Sequence, residues 1–191
     1  MVPALGNHMV VNALGAAAVG TALNMDIADI IEGFKDYAPV GGRARLVETD
    51  IVKVIDDCYN ANPNSVKAAL DTLKTMKAKR RVAVLGDMKE LGENEKALHK
   101  EVGEYAAKSG LDVLITVGEL GRCLADGCEG IEKHSYDTNA QLLDEIEDIL
   151  HKDDTVLVKA SHSMKFEEIV NSISRNSNEF RAEIYINVLW R

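Results

Sequence analysis

Proline, cysteine and surplus positive charge are all scarce in this sequence, and each shortage excludes something. Three prolines in 191 residues are too few for a disordered or linker-rich chain. The cysteines, Cys58, Cys123 and Cys128, are odd in number and form no CxxC pair. That removes a disulfide framework and a zinc knuckle, and it fits a reducing cytoplasm. Lys and Arg number 22 against 31 Asp and Glu, a formal net charge of -9. A general phosphate-backbone binder gathers the opposite excess, so nucleic acid is not expected as a partner. A small phosphorylated ligand stays compatible, because local amides and basic side chains can hold one inside an acidic protein. The apolar start, Val10 to Leu23, is broken by Asn12 and small residues and lacks a basic flank, so neither a signal peptide nor a membrane span is expected. Neither a GxxxxGK[ST] phosphate loop nor a GxGxxG fingerprint occurs.

What remains is a globular balance, 46% hydrophobic and 28% charged, in a chain long enough to bury a substantial core. Val10, Ala13, Leu14, Ala17 and Ala18 recur at helical spacing, and the Ala- and Gly-rich composition suits a helix packed closely against another layer. Asp26 is an N-cap for a second helix carrying Ile27, Ile30, Ile31 and Phe34, which stops before the Pro39-Val40-Gly41-Gly42 stretch. After Arg43 the pattern changes. Two short strands, 45–48 and 51–55, precede a helix bearing Val66, Ala69, Leu70 and Leu73 and a buried strand from Arg81. A helix through Leu98, Val102, Tyr105 and Ala106 follows, closed by Gly110, with His99 read as a surface or interhelical polar contact. Strands 113–117, 134–136 and 155–158 then alternate with helices to Ile173. The expectation is an α/β fold: a Rossmann-like, doubly wound, mostly parallel sheet of about six strands, with an antiparallel strand at its start and two helices ahead of it. Residues 1–43 form the lead-in, 44–175 the α/β domain, and 176–191 a tail that is either a non-native extension or a terminal strand.

In such a sheet, ligands meet the carboxyl ends of the strands. The run Asp56-Asp57-Cys58-Tyr59-Asn60-Ala61-Asn62-Pro63 is a strand end entering a helix, with Asn62 as cap and Pro63 in the first turn. A carboxylate there suits ribose hydroxyls and the Asn side chains suit a base or peptide; the competing reading is that these residues only build the turn. Gly86-Asp87-Met88-Lys89-Glu90-Leu91-Gly92 leaves a buried strand, its glycines allowing close backbone approach and Asp87, Lys89 and Glu90 able to read charge; a plain surface loop is the alternative. Lys159-Ala160-Ser161-His162-Ser163-Met164 offers an ammonium, two hydroxyls and an imidazole, without the geometry of a nucleophilic triad. His8 and Asn12 lie one helical turn apart, an arrangement that serves capping as readily as binding. Cys58 reads as a small packed residue.

Five stretches, in order, resemble the Mur ligase family over residues 1–174: residues 5–18, Gly42-Arg43, residues 55–65, residues 84–92 and residues 156–164. The resemblance implies a cytoplasmic, ATP- and magnesium-dependent amide ligase of cell-wall precursor synthesis, with ATP lying between a central domain and a C-terminal Rossmann-like domain. Its implied partners are UDP-N-acetylmuramoyl-tripeptide and D-alanyl-D-alanine, joined through an acyl phosphate, together with the N-terminal and central domains of the same enzyme. On that footing residues 1–43 are the last helices of the central domain. Its phosphate loop, magnesium-binding carboxylate and modified lysine fall upstream of Met1, leaving no catalytic and no metal residue here and the fragment inactive alone. Carried over by motif, His8 and Asn12 match adenine-side contacts, Arg43 a phosphate contact and Asp57 the ribose contact, with Tyr59, Asn60 and Asn62 bordering that pocket. Asp87, Lys89, Glu90, Ser161 and Ser163 match the loops that close over the amino substrate. His8 precedes Met9 where the family usually has Asn, and Ala160 and His162 replace the usual Gly and Arg. The alternative is a stand-alone, non-catalytic nucleotide or small-molecule binding domain, since this architecture hosts many functions.

Overall fold

A computed structural model describes residues 5–6, 8–38 and 41–175, with the His8 side chain outside the described atoms; the tail from 176 onwards also lies outside. Two helices open the chain, α1 (His8–Ala22) and α2 (Ile27–Lys35). They are followed by β1 (Arg45–Glu48), β2 (Lys53–Asp56), α3 (Pro63–Thr75), β3 (Arg80–Gly86), α4 (Glu95–Ala107), β4 (Val113–Val117), α5 (Gly121–Gly127), β5 (Glu132–Tyr136), α6 (Asn139–Ile149) and β6 (Asp154–Lys159). A final helix, α7, runs over residues 167–175.

The strands form one sheet in the order β1-β2-β6-β3-β4-β5. All neighbours are parallel except β1 and β2, which pair antiparallel with Arg45 opposite Asp56. This is the doubly wound, mostly parallel sheet expected from the alternation of apolar runs and amphipathic segments. After β5 the chain returns through α6 to place β6 between β2 and β3, so the winding reverses at the β3–β6 boundary.

Strand periodicity divides the core in two. Val54, Val82, Val84, Ile115, Val156 and Val158 meet Leu142, Ile146, Phe166 and Ile169 from α6 and the α7 region on one face. Ile55, Ala83, Leu85, Leu114 and Leu157 meet Leu70, Leu73, Val102 and Leu124 from α3, α4 and α5 on the other. With both faces covered, β3, β4 and β6 read as continuous buried runs. Each fully buried aliphatic side chain contributes about 1.5–3 kcal/mol. Helices α4 and α5 interlock through glycine: a Cβ on Gly103 would collide with the Leu124 carbonyl, and one on Gly127 with the Lys100 carbonyl. At the opposite end of the sheet from the strand mouths, Arg80 Nη2 lies 2.8 Å from Oδ2 of the buried Asp154 and also donates to the Ile149 carbonyl, tying β3 to β6.

The helical lead-in differs from its expected packing. Asp26 caps α2 by accepting from Ala28 N at 2.9 Å, and α1 closes on α2 where Gly20 meets the Ile30 side chain. Yet Val10, Val11, Leu14 and Val19 are each about 60–70% exposed. An Ala- and Gly-rich helix that is apolar nearly all round needs two neighbouring layers, and among the described residues α2 supplies one.

Candidate functional site

The carboxyl ends of β2, β6 and β3 lie side by side, and each carries polar groups held in a defined network. At β2, Asp56 is buried and its charge is met by Arg45, whose Nη2 lies 3.1 Å from Oδ2, by Gly42 N at 3.1 Å and by the Cys58 thiol at 3.0 Å. Burial first, and then the bond to Asp56, push the Cys58 thiol up to about 12, so it is a packed donor and not a thiolate nucleophile. Asp57 faces the other way. Its Oδ2 lies 2.6 Å from Lys159 Nζ and its Oδ1 accepts from Ala44 N at 3.0 Å. Lys159 is itself buried and also donates to the Asn60 carbonyl at 2.8 Å. A buried ammonium from β6 therefore shapes the whole turn after β2. This partner was missed in the sequence, where Lys159 was only one of several polar groups. Its signal was its place: a lone cation closing a buried parallel strand must meet an anion.

Asn62 does cap α3. Its Oδ1 accepts from Ser65 N at 2.9 Å, Ser65 Oγ reciprocates on Asn62 N, and Pro63 opens the helix. That places Asn62 in the turn-building role, while the exposed Tyr59 and Asn60 project from the same turn. The Arg43 guanidinium carbon stands 3.9 Å over the Tyr59 ring, and the centroid of the His162 ring lies 5.7 Å from that of Tyr59. Three separate segments of the chain thus meet at one rim, which places an aromatic ring and a guanidinium together beside the carboxyl end of β2.

The second cluster sits at the winding reversal between β3 and β6. Asp87 is buried, with Oδ1 accepting from Gly121 N at 2.9 Å and Oδ2 lying 2.7 Å from Lys89 Nζ. Gly118, at φ +106, is there because any Cβ would collide with this carboxylate. Ser161 clasps the loop twice: its N–H donates to the Asp87 carbonyl at 3.1 Å, and its Oγ accepts from Lys89 N at 2.8 Å. Lys89, Glu90 and Ser163 are exposed, whereas Asp87 and Ser161 are buried as the framework beneath them. Asn12 stands apart on α1, exposed, its Nδ2 3.4 Å from Met9 Sδ. The structure therefore gathers Arg43, Asp57, Tyr59, Asn60 and Asn62 at one mouth, and Asp87, Lys89, Glu90 and Ser161 at the next. His99, read from the sequence as a surface or interhelical polar contact, is fully buried; the buried face of α4 is His99, Val102, Gly103 and Ala106.

Among the described residues no group of three or more His, Cys, Asp or Glu is placed to hold a metal ion, and no helix is long and apolar enough to cross a membrane. The arrangement defines a Rossmann-like domain that offers polar loops at the topological switch point of its sheet. Comparison with known proteins agrees. The family model for the Mur ligase, glutamate ligase domain matches residues 42–162, and the chain belongs to the Mur ligase family. Among curated relatives, the UDP-N-acetylmuramoyl-tripeptide--D-alanyl-D-alanine ligase of Bacillus subtilis is 36% identical over 178 residues, covering 90% of this chain and 39% of the relative. Its Escherichia coli counterpart is 34% identical over 181 residues, covering 92% and 39%. Among solved structures, MurF from Acinetobacter baumannii superposes with a TM-score of 0.80 at 28% identity, over 89% of this chain and 38% of that one. The MurF ligase of Thermotoga maritima, solved in complex with ADP, gives 0.77 at 25% identity, over 92% and 40%. The chain thus spans about two-fifths of the length of the relatives it matches.

Proposed function

We propose that this chain is the C-terminal portion of the ATP-dependent ligase that joins D-alanyl-D-alanine to UDP-N-acetylmuramoyl-tripeptide in the cytoplasm. The observation that carries this reading is the run of matching segments along the chain, which curated relatives of one stated activity share at 34–37% identity over about 90% of its length. Residues 1–43 belong to the central ATP-binding domain and 44–175 to the C-terminal domain.

Each mouth has a role that its chemistry suits. At β2, Asp57 receives the ribose hydroxyls, its geometry held by Lys159, while Arg43 meets a phosphate and Tyr59, Asn60 and Asn62 border the pocket. His8 and Asn12 approach the adenine from α1. At the β3–β6 boundary, Lys89, Glu90 and Ser163 close over the amino substrate on a base of Asp87 and Ser161. ATP phosphorylates the tripeptide carboxylate, and the amine of the dipeptide then attacks the acyl phosphate with loss of phosphate. Magnesium supplies charge neutralisation in such chemistry. Among the described residues no group of three or more His, Cys, Asp or Glu is placed to hold it, and on this reading magnesium and the phosphate loop belong to the remainder of the enzyme, with Arg43 as this chain's phosphate contact.

The test is reconstitution. The longer enzyme should release phosphate only when ATP, magnesium, the tripeptide nucleotide and the dipeptide are all present, and the 191-residue chain alone should release none. Turnover by this chain alone would overturn the reading.

A further inference from the structure

His99 is the fully buried imidazole of the described chain, and the roles above leave it unused. It lies on α4, away from both strand mouths in sequence, yet its ring is bonded at both nitrogens. Nδ1 lies 2.6 Å from the carbonyl oxygen of Glu95, one turn back on the same helix. A carbonyl can only accept, so the ring proton is on Nδ1. Nε2 then carries a lone pair, and it accepts the backbone N–H of Met88 at 2.8 Å. The two bonds fix each other: the helix carbonyl selects the tautomer, and the tautomer makes the acceptor.

Met88 and Lys89 come just after β3, where the chain leaves the sheet and its amides lose their strand partners. Both N–H groups are captured by side chains from other elements, Met88 by His99 and Lys89 by Ser161. Glu90 follows at φ +65, a left-handed conformation that persists in a non-glycine residue only when its surroundings impose it. A buried amide without a partner is costly, so removing the His99 acceptor would release the loop at its root. We propose that His99, held as the Nδ1–H tautomer, is the positioning residue of the Asp87–Glu90 loop and, through it, of the half-site for the amine substrate. The clause about the half-site rests on the proposed function; the tautomer and the loop anchor do not.

The experiment has two arms. On this chain, imidazole 15N spectra should show a protonated Nδ1 and an unprotonated, hydrogen-bonded Nε2, with Met88 among the slowly exchanging amides. A proton on Nε2, or a Met88 amide exchanging at the unprotected rate, overturns the anchor. In the longer ligase, His99→Phe fills the space without an acceptor, and His99→Gln retains one. The expected result is a rise of about tenfold in KM for D-alanyl-D-alanine with His99→Phe, KM for ATP unchanged within about twofold, and recovery with His99→Gln. Equal movement of both KM values, or of neither in a folded variant, overturns the positioning role. If His99→Phe does not fold, the spectra of the unaltered chain and the His99→Gln kinetics decide. If the unaltered longer enzyme makes no amide product, the functional reading fails and takes the half-site clause with it, while the spectra still decide the anchor.

Discussion

Lys159 Nζ lies 2.6 Å from Asp57 Oδ2, bridging the carboxyl ends of two neighbouring parallel strands at the rim of the sheet. The lysine is nearly sealed from solvent, and the aspartate retains about a fifth of its side-chain exposure. Breaking one side of a fully buried pair costs about 3–5 kcal/mol, and the partial exposure of Asp57 reduces that. Lys159→Met should therefore lower unfolding stability by about 2 kcal/mol in urea titrations, and Asp57→Asn by less, because the amide oxygen still accepts. A loss below about 0.5 kcal/mol for Lys159→Met would show that the pair is not organising the turn.

Two glycines should respond in opposite directions. Gly118→Ala combines a left-handed φ with a collision against the buried Asp87 carboxylate, and should cost about 2 kcal/mol or more. Gly15→Ala, in an open stretch of α1 with nothing near the added methyl, should gain up to about 1 kcal/mol in the same measurement. Equal effects would contradict the described backbone.

Thiol chemistry should single out one cysteine of three. Burial and the bond to Asp56 raise Cys58 to about 12, and burial raises Cys128 to about 11. At pH 8 the thiolate fraction of Cys58 is about one in ten thousand. Brief treatment with iodoacetamide under native conditions should modify the half-exposed Cys123 and leave Cys58 and Cys128 untouched, as read by peptide mass spectrometry. Native-state labelling of Cys58 at the Cys123 rate would refute its packing.

Tyr136 gives a pH dependence of defined sign. Burial, then its hydrogen bond to Glu145, raise the phenol to about 12 in the folded chain, against ~10 when unfolded. The folded state therefore favours the neutral ring, so this contribution is full below pH ~10 and is lost as pH rises towards about 12. Glu132 has the opposite sign. The hydrogen bond from His134 lowers it, so its contribution is present above its unfolded value and fades as pH falls through its folded one. Phenolate absorbance followed alongside denaturant melts should show Tyr136→Phe flattening the alkaline limb, and an unchanged limb would exclude Tyr136 as its source.

Much of the fold was legible because its local signals agree. Asn62 and Pro63 start α3 in the sequence and in three dimensions, and Asp26 does the same for α2. The buried strands are continuous apolar runs because helices cover both faces. The helical register of α4 was harder to read. Of the expected core positions Val102 and Ala106 are buried, but Leu98 and Tyr105 are not, and His99 and Gly103 complete the buried face, Gly103 lying against the Leu124 carbonyl of α5. A polar ring and a glycine weaken the apolar pattern at two of the buried positions. At the candidate site, the strand mouths could be placed from topology, and the roles proposed for their residues rest on the motif resemblance. The Lys159–Asp57 and Ser161–Asp87 links could not be seen, because they depend on β6 lying between β2 and β3, and strand order is a long-range property.

Strand β1 has one further effect, through its direction. Running against β2, it begins beside the residue where β2 ends, with Arg45 opposite Asp56 and Gly42 bonded to both Asp56 and Tyr59. A co-directional strand of four residues would have brought the polypeptide in about 13 Å away, at the far edge. Instead the connection from the leading helices is fastened at the rim that carries Asp56, Asp57 and Tyr59. The lead-in thus enters the sheet through Gly41 and Gly42 beside Tyr59, and a change of backbone at Gly42 reaches the buried Asp56 carboxylate and the Tyr59 amide directly, through one hydrogen bond to each.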